Sequence, residues 1–232
     1  MPVIVAVILS YVSGSIPAAY LAGKWKGVNL REHGSGNLGA TNVLRVLGAR
    51  IGLTVFAVDI AKGALPVWFL PPLTGATGDS RTWIAVGCGV AAIFGHLRPL
   101  FLGLQKGGKG VATACGVFLA LAPLQASLAL LIFLVVVFSS GYVSLASLTA
   151  VVALPVFIAV SVGWRSPLLV VSLLTVVFVF WTHRANIQRL RQGTEYRFGR
   201  AANFGRRPSL ALGIGILVIA AAILARLARA VG

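Results

Sequence analysis

Three polar stretches carry the residues of this chain that suit chemistry. The first runs from His33 to Arg45 and offers Ser35, Asn37, Thr41, Asn42 and Arg45. The second runs from Gly95 to Thr113 and offers His96, Lys106, Gly107, Gly108, Lys109 and Gly110. The third, His183 to Arg197, offers His183, Asn186, Thr194, Glu195 and Arg197. Each combines cations with small hydrogen-bonding groups, and the first two are rich in glycine. Glycine lets backbone N–H groups approach an anion closely, and Lys or Arg adds the charge, so these islands suit the binding of phosphate groups. A helix beginning at Val111 would point its N-terminus at the same anion.

Two nucleotide motifs are matched only superficially. Gly34-Ser-Gly-Asn-Leu-Gly39 has the G-x-G-x-x-G spacing, and Asp59 follows twenty residues after Gly39. A dinucleotide fingerprint must close a hydrophobic strand in a βαβ unit, whereas this one follows Arg31-Glu-His33 and Asp59 lies in a membrane-length apolar run. Gly103-Leu-Gln-Lys-Gly-Gly-Lys109 fits seven positions of a Walker A loop, but Gly110 stands where a Mg²⁺-holding Ser or Thr belongs. The physics of a glycine loop with a lysine survives without the nucleotidase.

The elements that must position these islands are apolar. The chain has 232 residues, 58% hydrophobic and 10% charged, a composition typical of a polytopic membrane protein. Its net charge of +16 would suit a nucleic-acid binder, but the long apolar runs exclude a soluble one, so no nucleic-acid partner is expected. Residues 2–23, about 33 Å as a helix, suffice to cross the hydrocarbon, and with no basic leader they do not read as a cleavable signal. Further spans are expected at 51–70, from 83 into the second island, at 143–164 and at 167–181. Residues 111–138 form one long run. Counting it once puts the arginine-rich segment 184–207 on the opposite side from the first two basic islands, which breaks the positive-inside pattern. Dividing it at Pro123 restores the pattern and makes seven segments, although each half is short for a straight crossing. Fifteen of the twenty basic residues then face one side, taken as cytoplasmic, with the N-terminus outside. An additional apolar run at 209–225 either spans or lies in the interface. Cys88 and Cys115 lack metal-type spacing and read as small core residues.

Asp59 and Lys62 are three apart on one helix face, so they can pair. Charges within a membrane helix are candidates for function, and here the plain reading is a structural ion pair under the site.

The sequence resembles the bacterial acyl-phosphate-dependent glycerol-3-phosphate acyltransferase family (PlsY type). The resemblance rests on Gly14-Ser-Ile-Pro17, Gly34 to Asn42 with Arg45, Asp59-Ile-Ala-Lys-Gly63, Gly95-His96 with Pro99, Lys106-Gly-Gly-Lys-Gly-Val-Ala-Thr113, Tyr142-Val-Ser-Leu-Ala-Ser147, and His183-Arg-Ala-Asn186 with Gly193-Thr-Glu195. These occur in order over residues 10–200. The departures are a longer tail from about 205 and Ala185, where the family often has an acid.

The resemblance implies an all-α, polytopic integral membrane protein with a seven-helix core, here 1–207, and the departing tail at 208–232 is expected to add a further apolar helix. It implies transfer of a fatty acyl group from acyl phosphate to the 1-hydroxyl of sn-glycerol 3-phosphate, as the first acylation of phospholipid synthesis. Residues matching Ser35, Arg45, Lys109, His183 and Asn186 would hold the substrates' phosphate and glycerol groups. The acyl phosphate's own phosphate would accept the proton, with His183 and Glu195 as competing bases and Glu195 alternatively a brace for its island. Asn37, Thr41, Asn42, His96, Lys106, Gly107, Gly108, Gly110, Thr113 and Ser147 complete the expected binding set. No metal or cofactor is expected, because acyl phosphate is already activated and Arg and Lys can stabilise the charges. A His-x-x-x-x-Asp acyltransferase mechanism is excluded: five residues beyond the three histidines stand Leu38, Phe101 and Gln188. The expected setting is the bacterial plasma membrane, as a monomer in the bilayer with its site facing the cytoplasm. The alternative is a phosphate-compound transporter, disfavoured because the Gly34–Arg45 island has no counterpart in the second half.

Overall fold

The computed structural model describes residues 1–197, so the expected C-terminal helix at 208–232 lies outside the described residues. The described residues are helical, with no strand among them: α1 (Val3–Gly14), α2 (Ala18–Trp25), α3 (Ala40–Leu47), α4 (Ala49–Phe69), α5 (Gly78–Leu97), α6 (Val111–Leu121), α7 (Pro123–Ser140), α8 (Val143–Ser161), α9 (Pro167–Thr182) and α10 (Arg184–Arg191). This bears out the all-α membrane class. Five segments are long and apolar enough to cross a bilayer, and a sixth follows if α9 and α10, bent by 62°, act as one. The seventh expected segment is α6, which is apolar but has only 11 residues. The division of the long run falls at Pro123, whose missing N–H suits the first position of α7.

The chain forms two compact units, Met1–Pro123 and Leu124 onward. In the first unit, Ala6, Val67, Ala85, Cys88 and Val117 build one core between α1, α4, α5 and α6. Ala19, Leu30, Leu38, Val43 and Val55 build another under α2, α3 and the first island. Large apolar side chains such as Ile4, Ile8, Leu53 and Leu65 face outward, as lipid-facing surfaces require.

Glycines set how closely these helices cross. A methyl on Gly14 would overlap the Ala92 carbonyl, and one on Gly95 the Tyr11 carbonyl, so α1 and α5 meet backbone to backbone. Gly63 lies in the same way against the Thr113 carbonyl and Gly116 against the Ile60 carbonyl, joining α4 to α6. Small residues of this kind let membrane helices gain packing that lipid would otherwise supply.

In the first unit Pro17 and Pro66 interrupt the helical hydrogen bonding, and nearby polar groups take up the consequences. Pro17 separates α1 from α2, and the Ile16 carbonyl accepts from Lys62 Nζ at 2.9 Å. Pro66 sits inside α4 and has no N–H to give the Lys62 carbonyl, which instead accepts from Ser13 Oγ at 3.2 Å.

In the second unit, Leu128, Ile132 and Phe157 pack α7 on α8. Gln125 Nε2 donates to Ser161 Oγ at 2.6 Å, linking the start of α7 to the end of α8. Ser166 caps α9 by accepting from the Leu168 N–H, with Pro167 at the first helical position.

The tight α4–α6 crossing has a measurable consequence. Gly116→Ala must displace the Ile60 backbone, whereas a methyl on Gly87 meets nothing closer than Val7 Cγ2 at 4.0 Å. Overpacking of this kind costs about 1–3 kcal/mol. In detergent, Gly116→Ala is expected to melt several degrees below wild type, and Gly87→Ala at or above it. Equal melting temperatures for the two variants would remove the claim.

Candidate active site

The first island is a loop tied down by Asn42, the third residue of α3. Its Oδ1 accepts from the Ser35 N–H at 2.8 Å, and its Nδ2 donates to the carbonyls of Leu30 at 3.1 Å and His33 at 3.0 Å. Asn42 is 1% exposed, and Gly34, with φ +63°, lies so close to its amide that a side chain there would collide. Asn42 therefore shapes the loop, while Ser35 is exposed at its tip and Thr41 is exposed near the start of α3. Asn37 and Arg45 are half-buried.

The second island follows α5. Tyr11 Oη donates to the Arg98 carbonyl at 2.7 Å, and the Gly107 N–H donates to the Leu97 carbonyl at 2.8 Å. Gly103 and Leu104 both have φ near +60°, a conformation costly for leucine and noted at functional turns. Gly110, with φ +79°, turns the chain directly into α6. Lys106 is exposed and Lys109 half-buried, while Gly107, Gly108 and Gly110 are buried. The Leu38 carbonyl of the first island lies against Gly108 of the second, so the structure brings these two islands together.

Beneath them, Lys62 Nζ pairs with Asp59 Oδ1 at 2.8 Å, as the sequence spacing leads one to expect. Asp59, Lys62 and His96 are 2%, 4% and 5% exposed. They line a water-sized pocket with Pro17, Gly107 and Gly108. Thr113 is fully buried, with its carbonyl and Cγ2 against Gly63 of α4. His96 and Thr113 thus lie below the loop surface and not on it.

The third island belongs to the second unit. His183 forms the turn between α9 and α10, and its Nδ1 lies 2.9 Å from the Val179 carbonyl. A carbonyl can only accept, so Nδ1 carries a proton. Asn186 Nδ2 donates to Glu195 Oε1 at 2.6 Å, Ser144 Oγ donates to the same oxygen at 2.9 Å, and Arg189 Nε donates to Oε2 at 2.7 Å. Burial pushes the Glu195 pKa up, but the hydrogen bonds from Asn186, Arg189 and Ser144, with the Arg189 charge, hold it below its ordinary 4.5. A carboxylate so engaged is a poor proton acceptor and a good brace. Arg197 Nε donates to the Ser140 carbonyl at 3.0 Å, tying the end of the island to the α7–α8 turn, while Thr194 is exposed. Ser147 is buried and its hydroxyl donates to the Val143 carbonyl one turn back, a helix-internal role.

Four side chains outside the expected site set contribute. Ser13 and Tyr11 act through carbonyls that only the folded chain brings near. Ser144, and not Ser147 of the same motif, is the serine that binds Glu195. Arg189 had a legible signal: it lies three residues after Asn186 on one helix face, near the one acid of its island.

A family profile described as glycerol-3-phosphate acyltransferase matches residues 4–193. A glycerol-3-phosphate acyltransferase of Geobacter metallireducens is 50% identical over 189 residues, covering 82% of this chain and 94% of that one. One of Aquifex aeolicus is 41% identical over 198 residues, covering 85% of this chain and 100% of the relative. Among solved structures, the glycerol 3-phosphate form of PlsY (YgiH), an integral membrane glycerol 3-phosphate acyltransferase, superposes with a TM-score of 0.79 at 39% identity, covering 88% of this chain and 99% of that one. Its lysophosphatidic acid form gives 0.75 at the same identity, covering 86% and 96%. With the motifs running in order along a helical membrane chain and relatives this similar over nearly their whole length, the chain belongs to the glycerol-3-phosphate acyltransferase family.

Proposed function

We propose that this protein is a membrane enzyme that moves a fatty acyl group from acyl phosphate to the 1-hydroxyl of sn-glycerol 3-phosphate, the first acylation of phospholipid synthesis. The observation that carries this reading is the contact of two glycine-rich cationic islands, where the Leu38 carbonyl lies against Gly108, so that the basic residues of both islands belong to one place in the fold. The 1-hydroxyl oxygen attacks the acyl carbonyl, the bond from the acyl carbon to the phosphate oxygen breaks, and inorganic phosphate leaves. The leaving phosphate takes the hydroxyl proton. That substrate-assisted route fits a Glu195 already bound by three donors. Ser35, Arg45 and Lys109 hold anionic and glycerol groups in this scheme, and His183 and Asn186 contribute polar contacts. No metal is needed, since the cations stabilise the oxyanion and the leaving group. The distribution of basic residues supports a site facing the cytoplasm of a bacterial plasma membrane, with the N-terminus outside. Lysophosphatidic acid is the product, and the protein acts as a monomer.

Purified protein given palmitoyl phosphate and glycerol 3-phosphate is expected to release phosphate and form lysophosphatidic acid, with or without Mg²⁺. Palmitoyl-CoA is expected to be inert as donor. Folded protein that is inactive with acyl phosphate but active with the thioester would overturn the donor assignment.

Arg45→Ala or Lys109→Ala is expected to raise the KM for glycerol 3-phosphate about tenfold to hundredfold, or to abolish turnover, as loss of one charged hydrogen bond would. Unchanged kinetics in both variants would remove the anion-site assignment.

Glu195 separates bracing from base catalysis. Its pKa is lowered in the folded chain, so its stabilisation is complete above about pH 4.5 and is lost as pH falls through the lowered value. Glu195→Gln is expected to melt below wild type at pH 7, with the gap narrowing under acidic conditions. An unchanged melting temperature together with abolished turnover would instead make Glu195 the base.

A further inference from the structure

The Asp59–Lys62 pair has a third neighbour. His96 Nδ1 lies 3.6 Å from Asp59 Oδ1, just beyond hydrogen-bond length, and has no hydrogen-bond partner among the described residues. The opposite edge of the ring, at Nε2, lies against Gly108 so closely that a methyl on that glycine would overlap it. The His96 carbonyl occupies the same position against Gly107. One buried residue therefore separates a membrane-embedded carboxylate from both glycines of the loop.

The supports of this residue are themselves fixed. Asp59 is held by Lys62, and Lys62 by the Ile16 carbonyl at the break between α1 and α2. The Gly107 N–H is bound to the Leu97 carbonyl, next to His96 in α5. A packing filler would be apolar here, because an unpartnered buried nitrogen is costly. A ring with one nitrogen facing an acid and the other against a loop backbone is instead the arrangement by which a group sets the orientation of its neighbour.

We propose that His96 is a positioning residue: aligned by Asp59, its ring holds Gly107 and Gly108 in the conformation that receives the phosphate of glycerol 3-phosphate. It acts through the loop and does not touch the substrate. The 3.6 Å gap to Asp59 closes when the anion fixes the loop, as hydrogen bonds in ligand-free sites often tighten on binding. This inference rests on the assignment of the Gly103–Gly110 loop to phosphate in the proposed function.

The test uses full-length protein and four variants: His96→Ala, His96→Gln, Asp59→Asn and the double variant His96→Ala/Asp59→Asn. Glycerol 3-phosphate binding is read by calorimetry without donor, alongside KM and kcat for both substrates and the melting temperature. His96→Ala is expected to weaken glycerol 3-phosphate binding by about tenfold, the scale of one well-placed hydrogen bond, with kcat and the donor KM within about a factor of two. His96→Gln, which keeps an amide near the Nε2 position, retains more binding than His96→Ala. Asp59→Asn gives the same selective loss, and the double variant loses no more than His96→Ala alone, because the two residues act in series. If His96→Ala does not fold, His96→Gln carries the comparison, since Asp59→Asn also leaves Lys62 without its carboxylate and is expected to melt lower for that reason. Unchanged glycerol 3-phosphate binding in folded variants, equal losses for both substrates, or additive losses in the double variant would each overturn the proposal. Because the binding readout needs no acyl donor, failure of the acyl phosphate assay would count against the donor assignment and leave this measurement intact.

Discussion

A lysine ammonium can stay buried in a membrane helix only if its charge and its protons are met, and much of the first unit is arranged to meet those of Lys62. Its neighbours are a carboxylate at 2.8 Å and a carbonyl at 2.9 Å. Removing one partner of a buried pair leaves an uncompensated charge, typically at a cost of about 3–5 kcal/mol. Two helix irregularities lie beside the pair. The Ile16 carbonyl lies at the break before Pro17, and the Lys62 carbonyl left without a donor by Pro66 is met by Ser13. Without water in the bilayer, backbone groups released by proline must find protein partners, so the two prolines and the ion pair are one construction.

The glycine crossings make that construction reachable. The Gly14–Ala92 and Gly95–Tyr11 contacts bring the end of α1 against α5, and the Gly63–Thr113 contact brings α4 against the first turn of α6. The break after α1, the charged middle of α4 and the loop after α5 consequently converge beneath Gly107 and Gly108. A glycine-rich loop needs such a foundation, because a loop without a rigid support would lose its geometry.

The third island solves a similar problem by other means. A single carboxylate gathers a serine from α8 and an asparagine and an arginine from α10. Asn186 is then oriented through its own amide, and the bend at His183 keeps a proton on Nδ1 of its ring. Polar side chains do here what helix crossings do in the first unit.

The sequence alone determined the membrane class, from its composition and the lengths of its apolar runs. It determined the split at Pro123, from charge parity, and the Asp59–Lys62 pair, from their spacing. All of these depend on local periodicity or on totals, which a linear chain displays. It also carried the family, through motifs kept in order over most of its length. Only the tertiary structure decided which polar residues face outward and which are committed inside. Asn42, Thr113 and Ser147 read as binding groups in the sequence, yet they are buried against Leu30, Gly63 and Val143. His96 turned out to lie behind Gly107 and Gly108, and Tyr11 and Ser13 to bind the Arg98 and Lys62 carbonyls from a helix more than forty residues away in sequence. Burial and long-range hydrogen bonds depend on which helices cross and how closely. That is a property of pairs of distant glycine and proline positions, and no window along the chain contains both members of such a pair.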